Sequence, residues 1–122
     1  MWYNVIEEGD FMQEKILSIL QEFEKKIKEI FKDDFHMMLL YGSYARGDFD
    51  ENSDIDVMIL VKTPMEKINQ YYDTVSDCAF EFLMKYKVDI SPIVKNIEHF
   101  DYWKDDLPYY NNVYTEGVAV HG

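Results

Sequence analysis

Two aspartates one residue apart, Asp54 and Asp56, stand at the mouth of an apolar run, Val57 to Val61. In an extended chain side chains alternate faces, so both carboxylates point the same way, roughly 6–7 Å apart at two residues of strand rise. Bare carboxylates at that spacing repel by roughly 2.5 kcal/mol at an effective dielectric of about 20. A hard divalent cation reverses the sign of that interaction, and a site built of oxygen donors alone suits Mg²⁺. Ten residues upstream, Gly42-Ser43 follows a second apolar run, Phe35 to Tyr41. Gly42 permits a sharp turn and a close backbone approach. Ser43 then opens a short helical turn through Tyr44, Ala45 and Arg46. Backbone N–H groups at such a turn, with a hydroxyl and a guanidinium beside them, make an anion site. A phosphate cradle and a cation cage joined by a short loop are the parts that hold a metal–nucleoside triphosphate.

A third acid stands further on. Lys87-Val88-Asp89-Ile90-Ser91 reads as a strand stopped by Pro92, with Val88 and Ile90 on one face and Asp89 on the other. From these residues alone, Asp89 is equally an exposed acid on an edge strand or a third carboxylate of the site.

Strands and helices must position these groups. Phe35 to Tyr41 reads as one strand. In the next, Ile55, Val57, Ile59 and Val61 share one face and Met58 and Leu60 the other, so it belongs inside a sheet covered on both sides. A first helix is expected over Phe11 to Phe31, where Ile16, Ile19, Leu20, Phe23, Ile27, Ile30 and Phe31 recur at three- and four-residue spacing, with Asp10 and Gln13 as a capping pair. A second starts at Thr63-Pro64-Met65-Glu66, with Thr63 as N-cap and Pro64 at the first helical position. Its buried face is expected to hold Ile68, Tyr71, Tyr72, Val75, Ala79, Phe82 and Leu83, with Cys78 beside the stripe as a small core residue. Ile93 to Phe100 reads as a short helix. Asp101 to Asn112 mixes acids with Tyr102, Trp103, Tyr109 and Tyr110, aromatics that either pack on the core or form a partner-docking surface. His36, His99 and His121 show no ligand spacing, and Asp48, Asp50 and Glu51 read as turn and solvation residues.

A length of 122 residues points to one domain, residues 1–122, of α/β (α+β) class. Apolar content of 48% argues for a folded chain rather than a disordered one. No apolar run approaches the ~20 residues of a membrane span, and the N-terminus lacks the basic start and apolar stretch of a signal peptide. With Cys78 the only cysteine, no intrachain disulfide forms, and a cytoplasmic setting is the default expectation. The net charge of −12 disfavours direct nucleic-acid binding and suits a basic protein partner, although solubility alone accounts for it equally well.

The pattern Gly42-Ser43, ten residues, Asp54-Ile55-Asp56 resembles the nucleotidyltransferase superfamily of the DNA polymerase β type. The fuller string Gly42-Ser43-Tyr44-Ala45-Arg46-Gly47-Asp48, then Ser53-Asp54-Ile55-Asp56, is similar to its minimal single-domain branch, the MNT proteins. These are commonly the antitoxin halves of HEPN/MNT toxin–antitoxin pairs. The ending Glu116-Gly117-Val118-Ala119-Val120 also resembles the family's tail. The resemblance implies a small mixed β-sheet with helices packed on it, ATP as substrate and a two-metal Mg²⁺ site. It implies Asp54, Asp56 and Asp89 as catalytic metal ligands, and Gly42 and Ser43 on the β- and γ-phosphates. Arg46 adds positive charge there unless it pairs with Asp48 instead. With no room for an acceptor-binding domain, the implied acceptor is a tyrosine of a HEPN-domain toxin. Two other readings stay open: modification of a small molecule such as an aminoglycoside, and a non-enzymatic antitoxin acting by steric occlusion.

Overall fold

The computed structural model describes residues 4–5, 14–50 and 52–120. Residues 11–13 of the expected first helix, its Asp10–Gln13 cap, Glu51 and His121 lie outside the described residues. The elements run β1 (Asn4–Val5), α1 (Glu14–Phe31), β2 (Phe35–Tyr41), α2 (Ser43–Arg46), β3 (Ile55–Val61), α3 (Met65–Ile68), α4 (Tyr72–Tyr86), β4 (Ile90–Asn96), α5 (Ile97–Trp103), α6 (Pro108–Glu116) and β5 (Val118–Ala119). The five strands form one mixed sheet in the order β1-β5-β2-β3-β4, antiparallel at β5–β2 and β2–β3 and parallel at β1–β5 and β3–β4.

The apolar double face of β3 explains its place inside the sheet. Ile55, Val57, Ile59 and Val61 join Met38 and Leu40 in a core with Phe23 and Ile27 of α1 and Phe82 of α4. Phe23 and Phe82 meet edge to face at 5.2 Å. Met58 and Leu60 point the other way, with Leu39, against Phe100 of α5 and Tyr110 and Val113 of α6. Helices therefore cover both faces of the central strands, as an all-apolar strand requires.

Three expectations need correction. First, β4 neither starts at Lys87 nor stops at Pro92: it runs from Ile90 to Asn96, Lys87 is the left-handed C-cap of α4, Asp89 precedes the strand, and residues 93–96 are strand rather than helix. The Ile55 N–H donates to the Asp89 carbonyl, so Asp89, Ser91 and Ile93 turn their backbone toward β3. Pro92 turns its nitrogen to the open edge, where a missing N–H costs no ladder bond. The helix that follows starts at Ile97, where the Asn96 side chain accepts from the His99 N–H at 2.9 Å.

Second, the helix after β3 begins at Met65 with Pro64 as its N-cap. The Thr63 hydroxyl is engaged elsewhere, donating to Asp34 Oδ2 at 2.8 Å. Third, a single 3₁₀ turn, Asn69–Tyr71, divides that helix into α3 and α4. Three residues per turn instead of 3.6 shift the buried stripe. Ile68, Val75 and Phe82 are buried as expected, Cys78 joins them, and Tyr72 is exposed. Burial pushes the Cys78 thiol up to about 11, as befits a core side chain. Among the described residues, no helix is long and apolar enough to cross a membrane.

Candidate active site

Gly42 ends β2 and starts α2 with φ 76° and ψ −153°, a conformation that side chains exclude. The Ala45 and Arg46 N–H groups close the turn on its carbonyl, each at 3.1 Å. A Cβ placed on Gly42 would lie 2.5 Å from Oδ2 of Asp56. The Gly-Ser turn therefore rests directly on one carboxylate of the Asp-x-Asp pair. The antiparallel register makes this so, because Tyr41 and Asp56 are opposite each other across β2 and β3. The connecting loop is shaped by Asp50, whose carboxylate accepts from the Asn52 N–H at 2.8 Å and whose own N–H donates to Ser53 Oγ at 3.0 Å.

Asp54 and Asp89 lie just before β3 and β4. Ile55 is level with Ile90 in the parallel ladder, so the two preceding acids stand side by side at one edge of the sheet. Each feels Asp54. Burial, and then the charge of Asp54, raises the Asp56 carboxyl above its ordinary value, with Arg46 partly opposing. Burial, the charge of Asp54 and a hydrogen bond with it raise Asp89 as well. The three acids thus form two neighbouring pairs that share Asp54. Among the described residues, no three His, Cys, Asp or Glu side chains are arranged to enclose a metal ion as they stand. An oxygen-only donor set in which two carboxyls are raised by burial and by a neighbouring charge fits a hard divalent cation.

Ser43 is the half-buried first residue of α2. Arg46 closes the same turn but is engaged by two carboxylates: its Nε donates to Asp48 Oδ2 at 3.2 Å and its Nη1 to Glu116 Oε2 at 2.9 Å. The pairing with Asp48 is legible from adjacency. Glu116 comes from the end of α6, and only the tail resemblance hinted that this residue mattered. A pocket of about 240 Å³ opens beside Asp54 and Asp89, with Tyr44, Asn52, Ser53 and Lys87 among its lining.

Two further side chains have no signal in the sequence. The Tyr41 and Tyr109 hydroxyls meet at 2.6 Å. Burial, and then their mutual hydrogen bond, raises Tyr41, and the charge of Asp56 adds to the shift. Tyr109 is raised mainly by burial, again with a contribution from Asp56. This phenol pair ties the start of α6 to the end of β2, at the ladder position opposite Asp56.

The model of the nucleotidyltransferase domain family matches residues 14–113. A protein of Methanocaldococcus jannaschii, named "Putative protein adenylyltransferase", is 46% identical over 81 residues, which cover 66% of this chain and 79% of that one. Among solved structures, a "putative nucleotidyltransferase" from Sulfolobus solfataricus superposes with a TM-score of 0.57 at 21% identity, covering 86% of this chain and 78% of that one. A toxin–antitoxin crystallised with AMP-PNP superposes with a TM-score of 0.52 at 18% identity, covering 84% of this chain and 73% of that one. At those identities the two structures establish a common fold.

Proposed function

The chain belongs to the nucleotidyltransferase domain family, and on that premise we propose that it transfers AMP from ATP to a tyrosine hydroxyl of a partner HEPN toxin, as the antitoxin of the pair. The observation that carries this reading is the contact of Gly42 with the Asp56 carboxylate, beside Asp54 and Asp89. The Gly42-Ser43 turn and three carboxylates that share one edge of the sheet support a site for a metal-bound triphosphate. The name of the Methanocaldococcus relative supports a protein acceptor, and the AMP-PNP-bound toxin–antitoxin supports ATP and a toxin.

In this reading the Gly42 N–H and Ser43 bind the β- and γ-phosphates, and Arg46 turns from its carboxylates to add positive charge there. Asp54, Asp56 and Asp89 would hold Mg²⁺, which when bound would neutralise the acids and polarise the phosphate under attack. The tyrosine oxygen forms a bond to the α-phosphorus. The bond from that phosphorus to the oxygen leading to the β-phosphate breaks, and pyrophosphate leaves. Asp89, at the rim of the pocket, receives the phenolic proton. Incubating the chain with α-labelled ATP, Mg²⁺ and a purified HEPN-domain toxin tests the proposal. Label is expected on a toxin tyrosine; an unlabelled toxin that nonetheless binds the chain would refute it.

Arg46 gives a second, finer expectation. A charge-assisted hydrogen bond is worth about 1.5–3 kcal/mol, so Arg46→Ala should raise the KM for ATP about 10- to 100-fold with a smaller change in kcat. Glu116→Gln should lower that KM, because the phosphates then compete with one carboxylate fewer. Steady-state kinetics decide it, and an unchanged KM in both variants removes Arg46 from the nucleotide site.

A further inference from the structure

The corner between α5 and α6 carries an unusual surface. Tyr102 is 74% exposed, and Trp103, Leu107 and Tyr109 are exposed beside it. Tyr102 and Trp103 stack edge to face at 4.9 Å. Asp101, Asp105 and Asp106 are exposed in the same segment. Lys104, the cation among them, folds away: it is only 17% exposed, contacts Asp101 at 3.5 Å and lies over the Tyr114 ring at 4.6 Å. Asp105 and Asp106 have no ion-pair partner among the described residues. The corner thus offers aromatic rings framed by uncompensated negative charge.

Resting on the protein-acceptor reading above, we infer that this corner docks the acceptor protein through a basic segment. Guanidinium and ammonium groups stack on exposed Trp and Tyr faces and pair with carboxylates, so one Arg or Lys can satisfy both features of the surface. Aromatic anchors of this kind dominate interface energetics. A second copy of the chain is a poor occupant, because each copy carries a net charge of −12 and the two repel. The corner also leads to the chemistry. Tyr109 forms its inner end and meets the Tyr41 hydroxyl, and Tyr41 stands across the ladder from Asp56. A partner seated here presents a nearby side chain toward the carboxylate edge.

Calorimetric titration with the same purified HEPN-domain toxin tests this. Tyr102→Ala/Trp103→Ala should bind at least tenfold more weakly. Asp105→Asn/Asp106→Asn should bind severalfold more weakly and with a shallower dependence on salt. Asp54→Asn/Asp56→Asn should bind as the wild type does, and all surface variants should keep wild-type affinity for ATP, which certifies their fold. Binding of both corner variants within twofold of wild type overturns the inference. So does sedimentation showing that they dissolve a self-dimer while partner binding persists. Failure of the wild type to bind the HEPN protein overturns the docking assignment, and label transfer to any other acceptor would then show that the enzymatic reading survives without it.

Discussion

The Asp54→Asn/Asp56→Asn variant is expected to lose nucleotidyl transfer by at least about 10³-fold while melting slightly higher than the wild type. The two effects have one cause. Burial at the sheet edge, and then the charge of Asp54, raises the Asp56 carboxyl, so the neighbouring acids are poorly solvated and repel. Replacing both with neutral amides of equal shape relieves that repulsion in the metal-free protein. In EDTA a rise of about 1–4 °C is expected for a domain of this size. Mg²⁺ should then raise the melting temperature of the wild type and leave the variant unmoved, because only a state that binds the ion is stabilised by it. Thermal scans with and without Mg²⁺, run beside the transfer assay, check both halves. A variant that melts lower, or that keeps its activity, contradicts the assignment of these acids.

Gly42→Ala is expected to be nearly as damaging to activity and far more damaging to stability. Its φ of 76° with ψ −153° costs a side-chain-bearing residue about 1–3 kcal/mol. The new methyl would also stand 2.5 Å from the Asp56 oxygen, so the carboxylate must move. A displacement of about 1 Å at reacting groups typically costs about 10²-fold in rate. Denaturant unfolding should show the stability loss. Repeating the substitution in an Asp56→Ala background separates its sources, since that removes the collision and leaves the backbone strain. Equal losses in both backgrounds would mean that the Gly42–Asp56 contact carries no cost.

Much of the architecture was legible because it is written in local periodicity. The bounds of β2, the burial of β3 on both faces and the short turn at Ser43 follow from alternation and from one glycine. Pro92 misled because proline's effect on a strand depends on which way its nitrogen faces, and that is set by the register with β3. The 3₁₀ turn at Asn69–Tyr71 likewise has no marker in its residues, and Tyr72 just after it is exposed where a continuous helix is expected to bury it.

The site divides along the same line. Residue types and spacing by themselves determined that two acids stand at the start of β3, that Gly42 makes the turn and that the donors are all oxygen, since each of these is a property of a few consecutive residues. Only the tertiary structure decided that Gly42 lies on Asp56, that Asp89 stands beside Asp54, that Glu116 holds Arg46 and that Tyr109 reaches Tyr41. Those meetings join residues up to 70 positions apart. Strand order, register and the seating of α6 bring them together, and such long-range geometry leaves no mark in the short-range pattern of a chain.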